Sequence, residues 1–376
     1  MTEARLVLPD GDAAHGARWQ SEAGVPPPKK IVVADDTMNA DTAFRFASEG
    51  TALLWRGDFQ NARQMLQALA RRGDRKPRKP AATLRDAFNQ HRLAQSQRAR
   101  TLGMLLIPFE AGHFIPLRRA PDVAEACTQA HGEADQPYVC SLRELLGLVG
   151  AYEWRRNGVD IPALGARIHP HYGVFSPVRG EYVELVARAP LPAALAADGV
   201  AFDIGTGTGV LSAVLAQRGV RRIVATDMDE RALACARDNL ARLGFAARVE
   251  LSRADLFPAG RAALVVCNPP WLPGRPASPL EHAIYDQDSR MLRGFLSGLA
   301  DHLAPDGEGW LILSDFAEHL GLRAPDEVSA LIAGAGLEVA GRLEAKPRHG
   351  KAQDANDPLH AARSKEVTSL WRLRAR

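Results

Sequence analysis

Metal-binding and disulfide patterns are missing from this sequence. Its four cysteines, Cys127, Cys140, Cys235 and Cys267, are scattered and form no CxxC pair, so neither a zinc knuckle nor a disulfide framework is expected. Histidines are equally dispersed. The one HxH, His169 and His171, brackets a proline without an acidic or cysteine companion nearby, which reads as a loop, and no metal site is expected. No apolar run approaches the roughly 18 residues needed to span a membrane. The first thirty residues lack the apolar core of a secretory signal, so the expected compartment is the cytoplasm. Charge of one sign is scarce as well: 47 Lys and Arg face 44 Asp and Glu, a net +3. Apolar residues at 46% and charged residues at 24% suit a soluble globular chain, and 376 residues leave room for two domains.

The chain divides by texture. Residues 1–30, polar and rich in Gly and Pro, read as a disordered tail. Residues 31–168 read as a substrate-recognition domain of mixed, mainly helical structure. Within it, 42–72 reads as helical, with Leu54, Phe59, Met65, Leu66 and Leu69 on helical faces. Residues 102–117 read as short buried strands broken by prolines, and 140–157 as another helix. Between them, residues 71–100 hold ten Lys and Arg against two acids, +8 within a +3 protein. Either a phosphate-binding surface or a solvated linker explains that stretch, and only Phe88 in it could stack on a base. From about 199 onward, apolar runs alternate strictly with helical segments. That pattern predicts a doubly wound α/β fold with a mostly parallel sheet in residues 169–376, closed by an antiparallel hairpin.

In such a sheet ligands gather at the carboxyl ends of the strands. The first strand runs into "FDIGTGTG", with Gly205, Gly207 and Gly209 alternating. Glycine is needed where the backbone takes positive φ or a ligand lies against it, and the helix that follows offers free N–H groups. Neither GxGxxG frame is complete, because Val210 and Ser212 occupy the third positions. A nicotinamide or flavin site is therefore not expected. Asp227 stands 22 residues after Gly205, where a carboxylate accepts from ribose hydroxyls. Asp229 is expected to cap the next helix. Asp255 ends the third strand, where it can accept from an adenine amine with Leu256 against the ring. About sixty residues after the glycine turn, "VVCNPPW" ends the fourth strand.

This constellation resembles the class I S-adenosylmethionine-dependent methyltransferases over residues 170–376. The resemblance implies a seven-stranded sheet with the last strand antiparallel and S-adenosylmethionine as cofactor. It implies cofactor-binding positions at Asp203, Gly205, Thr206, Gly207 and Gly209, at Asp227 and Met228, at Asp255 and Leu256, and at Asn268. The segment "YGVFSPVRGEYVELVA" is similar to the one that closes over the cofactor in small-domain and release-factor glutamine methyltransferases. It adds Phe175 and Pro177 as cofactor neighbours, while Glu181 matches an acidic position there loosely. Asn-Pro-Pro-aromatic is the tetrapeptide of N-methyltransferases acting on planar nitrogens: adenine-N6, guanine-N2 or glutamine. A conjugated nitrogen must be held with its lone pair aimed at the methyl group. The Asn268 side-chain oxygen and the Pro269 carbonyl are the expected acceptors, the two prolines stiffen the loop, and Trp271, where Tyr or Phe is usual, is the expected stacking face. The expected activity is N-methylation of a macromolecule. RNA is favoured over a protein glutamine by residues 71–100, and a small planar amine or amide follows. A non-catalytic module binding the cofactor or RNA is the alternative class; an intact Asn-Pro-Pro-Trp argues against it.

Overall fold

The computed structural model describes residues 5–9, 16–74, 80–196, 199–276, 279–348 and 354–376. Two compact units are present, one formed by residues 1–82 with 89–153, the other by 83–88 with 154–376. The expected boundary at 168/169 therefore falls too late. Residues 154–168 include a hairpin, β7 (Val159–Ile161) with β8 (Ala166–Ile168). Its Val159, Ile161 and Ile168 are buried in the core of the second unit.

The first unit is built on a six-stranded sheet, order β1-β2-β6-β5-β4-β3. Its strands are β1 (Arg5–Val7), β2 (Gly16–Trp19), β3 (Lys30–Ala34), β4 (Thr51–Trp55), β5 (Leu105–Phe109) and β6 (Tyr138–Ser141). Helices α1 (Ala40–Ser48), α2 (Phe59–Asp74), α3 (Leu84–Leu102), α4 (Ala124–His131) and α5 (Leu142–Asn157) follow the same stretch of chain. Three expectations are corrected here. The reading of 1–30 as a disordered tail fails, because β1 and β2 pair antiparallel and bury Leu6 and Ala17. The run "TALLW", read as part of a helix, is a strand with all five residues buried. It follows Gly50, whose φ of +84° breaks the chain after α1. A short, continuously apolar run lacks a period that separates buried strand from buried helix. The unit is thus mixed, as expected, but organised by its sheet more than by its helices.

The second unit is the doubly wound fold. Its strands are β9 (Val200–Ile204), β10 (Arg222–Asp227), β11 (Val249–Arg253), β12 (Ala262–Cys267), β15 (Leu303–Ser314), β16 (Leu337–Ala345) and β17 (Thr368–Ala375). A separate two-stranded bridge, β13 (Leu272–Pro273) with β14 (Tyr285–Asp286), sits between β12 and β15 in the chain. The sheet order is β11-β10-β9-β12-β15-β17-β16, parallel except for β17, which runs antiparallel to both neighbours. Both faces are covered, as a parallel sheet requires. Alternate residues of β12 show this: Leu264 and Val266 enter the core shared with α6 (Glu181–Arg188) and α7 (Val210–Gln217). Val265 and Cys267 enter the opposite core, shared with α9 (Arg290–His302) and α11 (Glu327–Gly334). The order reverses between β9 and β12, which places the switch point, and the crevice beyond it, at Gly205 and Asn268.

Candidate active site

The three glycines of the first turn have three different tasks. All take positive φ: +71° at Gly205, +54° at Gly207 and +79° at Gly209. A Cβ on Gly205 would lie 2.7 Å from Met291 Cε, and one on Gly209 would lie 3.1 Å from Ala236 Cβ on α8 (Glu230–Arg242). Packing against the α8 backbone requires Gly209, whereas Gly205 meets only the flexible end of Met291 and is demanded by its positive φ. A Cβ on Gly207 meets nothing within 4 Å, so this glycine faces open space that a ligand can occupy. Asp203 is buried beneath the turn and is committed to it. Its Oδ2 accepts from Thr206 Oγ1 (2.8 Å), Ser212 N–H (3.1 Å) and Ser212 Oγ (2.6 Å). Burial raises its carboxyl above the ordinary value, opposed by the Ser212 and Thr206 hydrogen bonds. Asp203 and Thr206 therefore shape the loop from below.

Asp227 ends β10 beside the turn. Its Oδ2 accepts from Gly207 N–H (3.0 Å) and its Oδ1 from Asp229 N–H (3.0 Å). Burial pushes its carboxyl up, while those backbone donors pull it down. Met228, next in line, is an apolar side chain left 55% exposed. Asp229 caps α8 as expected, accepting from Arg231 N–H at 2.9 Å. At the end of β11 the outcome differs from expectation. The Asp255 carboxylate pairs with Arg290. The Leu256 side chain packs over Gly294 of α9, where a Cβ would come within 2.7 Å of Leu256 Cδ1, while its carbonyl accepts from Thr226 Oγ1 (2.6 Å). Leu256 thus belongs to the core under the crevice, and Met228 is the exposed apolar side chain next to Asp227.

In "NPPW" the structure adds a bond that the sequence did not announce. Trp271 Nε1–H donates to Asn268 Oδ1 at 2.9 Å. An indole can only donate, so the contact fixes the amide with its oxygen toward the indole. Trp271 is half-buried against both cores of the sheet, which makes it a clamp on Asn268 as much as a stacking surface. Its carbonyl accepts from Arg323 Nη2 (3.3 Å). Arg323 is buried, its Nε and Nη1 have no partner, and burial lowers its pKa.

Other expected residues fall around this edge. Pro177 is buried and Phe175 is 36% exposed in the segment before α6. His169 and His171 make separate contacts, His169 Nδ1 with Arg155 O (2.7 Å) and His171 Nε2 with Asp238 Oδ2 (2.9 Å). Among the described residues no cluster of His, Cys, Asp and Glu is placed to hold a metal ion. Asn239 was missed by the sequence reading. It is buried on α8, accepts from His169 N–H (2.7 Å) and donates to the Thr208 carbonyl (3.1 Å), tying the glycine turn to the segment before it. Asp286 was missed too. It caps α9 through the N–H groups of Met291 (2.9 Å) and Leu292 (3.2 Å), which sets Met291 against Gly205.

The basic stretch is less free than its charge suggests. Arg72 pairs with Asp41 (2.7 Å) and Arg98 with Asp74 (2.8 Å). Arg85 donates from Nε to the Gly321 carbonyl (2.8 Å). Phe88 is buried among Leu272, Phe316 and Leu359 and is not available for stacking. Arg75, Lys76, Arg78 and Lys79 lie outside the described residues.

Residues 165–322 match the family model of the methyltransferase small domain. A release factor glutamine methyltransferase of Cereibacter sphaeroides is 44% identical over 73 residues, 19% of this chain and 26% of that protein. A tRNA1(Val) (adenine(37)-N6)-methyltransferase of a Shewanella species is 31% identical over 147 residues, 36% of this chain and 60% of that protein. The chain thus spans less than two thirds of the length of these curated relatives. Among solved structures, a ribosomal protein L11 methylase from Lactobacillus delbrueckii aligns with a TM-score of 0.37 at 17% identity, over 56% of this chain and 86% of that one. No helix among the described residues is long and apolar enough to cross a membrane.

Proposed function

We propose that this protein is an S-adenosylmethionine-dependent N-methyltransferase acting on a planar amide or exocyclic amine of a macromolecule. One observation carries the reading. A single sheet edge holds a glycine turn open at Gly207, a half-buried carboxylate at Asp227, and an Asn-Pro-Pro-Trp loop whose Asn268 oxygen is held in place. The first two fit the cofactor: Gly207 leaves space for it, the Asp227 carboxylate would accept from ribose hydroxyls, and Met228 would offer an apolar face to the adenine. S-adenosylmethionine supplies an electrophilic methyl group on a sulfonium.

The chain's own residues then position the acceptor. A carbonyl oxygen has two acceptor sites. On Asn268 one takes the Trp271 indole N–H, and the other takes an N–H of the target. The Pro269 carbonyl takes the second N–H. This aims the nitrogen lone pair, and both contacts strengthen as the nitrogen becomes positive. The two relatives named above act, by their names, on a glutamine and an adenine, both planar nitrogens.

The test uses purified protein, methyl-tritiated S-adenosylmethionine and lysate from cells lacking the gene. Labelled macromolecule that disappears with nuclease or with protease is the expected result. Absence of label in both fractions, with folded protein, overturns the reading.

A further inference from the structure

Arg323 is a buried cation that neither the cofactor turn nor the acceptor contacts use. Its residue is 4% exposed. Its Nη2 donates to the Trp271 carbonyl (3.3 Å), while its Nε and Nη1 are buried without a partner. Glu327, Glu318 and Asp286 lie near enough to favour its charge, yet none of them pairs with it. Glu327 pairs with Arg293 (2.8 Å), and Asp286 is spent on the cap of α9. A guanidinium buried without a carboxylate costs stability. Local conflicts of this kind concentrate at functional sites.

The fold aims this side chain at the Asn-Pro-Pro-Trp loop. Helix α10 (Phe316–His319) is followed by a tight turn at Gly321, φ +69°. The N–H groups of Leu322 (2.8 Å) and Arg323 (3.3 Å) fold back on the Ala317 carbonyl, and Arg85 Nε holds the Gly321 carbonyl (2.8 Å). Ala317 and Leu320 pack in one apolar cluster with Leu272, the residue after Trp271. Leu272 N–H in turn donates to the Ile284 carbonyl (3.2 Å). The base under Arg323 is therefore also the base that carries the end of the loop.

Trp271 is held from two sides. Its carbonyl takes the Arg323 guanidinium, and its indole N–H goes to Asn268 Oδ1 (2.9 Å). A peptide is planar, so holding its oxygen restricts the rotation of the whole unit, and a charged donor holds it more firmly than a neutral one. Resting on the methyltransferase reading above, we propose that Arg323 is a positioning residue for methyl transfer: it fixes Trp271 through the carbonyl, and Trp271 fixes the Asn268 oxygen that aligns the target nitrogen. Arg323 touches neither the cofactor nor the acceptor. An apolar side chain of similar length would suit the fold better and the site worse.

The experiment replaces Arg323 by Met, which keeps an unbranched chain and removes every donor. Tritiated S-adenosylmethionine and an excess of the full chain are mixed with lysate from cells lacking the gene, and the single-turnover rate of labelling is read. Arg323→Met should lower that rate by about 2–10-fold, the size of one net hydrogen bond. Calorimetric affinity for S-adenosylmethionine should not change, and the melting temperature should be equal or higher, because an unpaired charge leaves the core. The double variant with Trp271→Phe should be no slower than the slower single variant, as for two residues acting through one contact. Arg323→Lys keeps the charge and one point donor and should recover part of the rate; in the same cycle it carries the test if Arg323→Met does not fold. A readout free of activity is solvent exchange of the Trp271 indole N–H by NMR, assigned by its absence in Trp271→Phe, which should be faster in Arg323→Met. Multiplying effects in the double variant, an unchanged rate, weakened cofactor affinity or unchanged indole exchange each overturn the proposal. Absence of label with the unaltered protein removes the methyltransferase reading instead, while faster indole exchange in Arg323→Met would still uphold the link from Arg323 through Trp271 to Asn268.

Discussion

The two halves of the crevice are finished to different degrees. On the side of β9 and β10 the polar groups are already paired. Asp203 serves Thr206 and Ser212, Asp227 serves Gly207 and Asp229, and Asn239 holds the Thr208 carbonyl. On the side of β15 and β17, Glu181, Glu366 and Thr368 have atoms with no partner. A preorganised surface with spare acceptor capacity suits a ligand shared by many enzymes. On the proposed methyltransferase reading, the paired half is the one that would hold the cofactor.

The comparison breaks most visibly at Gly207. Gly207→Arg places a long side chain in the one open position of the turn and should abolish S-adenosylmethionine binding by calorimetry, with the melting temperature lowered only by the strain of a positive φ. Removing charge at the same edge is gentler. Asp227→Asn should weaken the cofactor by roughly 1–3 kcal/mol through its ribose contacts, and should leave acceptor affinity unchanged in a binding assay.

Acidification sharpens the same point. The Asp227 carboxyl is raised above 3.8, with burial as the main cause. Protonation on lowering the pH removes the charge that the ribose contacts use. Cofactor affinity should therefore begin to fall at a higher pH than for an ordinary aspartate, and Asp227→Asn should flatten that dependence in calorimetric titrations across the acid range. The smallest effect belongs to the clamp. Trp271→Phe keeps an aromatic ring and removes the N–H to Asn268, so turnover should drop by only about 2–10-fold, the size of one net hydrogen bond.

What could be read in the sequence follows the same division. The cofactor half is local: the glycines, Asp227 and the Asn-Pro-Pro-Trp loop announce themselves within short stretches, and strand–helix alternation located them on one sheet edge. Capping by Asp229 was legible because the cap and its helix are adjacent. The polar group at the ends of β15 and β17 is assembled from residues far apart in the chain, Glu181, Ser314, Glu366 and Thr368, and the antiparallel return of β17 is what sequence spacing does not reveal. The clamp of Trp271 on Asn268 was hidden for another reason. It is a side-chain rotamer, and spacing of three residues in a proline loop does not specify it. The packing of Leu256 over Gly294 was hidden too, because it joins residues far apart in the chain. In the first unit, β4 was lost in a helix because a fully buried strand has no alternation to show.

The account stands on Asn268 acting on the acceptor and not on the cofactor. The direct measurement is single-turnover methylation by Asn268→Ala at saturating cofactor, with S-adenosylmethionine affinity determined on the same preparation. The account predicts a rate lowered by roughly 10²–10³-fold, the size seen when one preorganised contact to a transition state is removed, and a cofactor affinity that does not change. An unchanged rate would make Asn-Pro-Pro-Trp a rigid turn, and a rate restored by raising the cofactor concentration would move Asn268 to the cofactor half; either result contradicts the account.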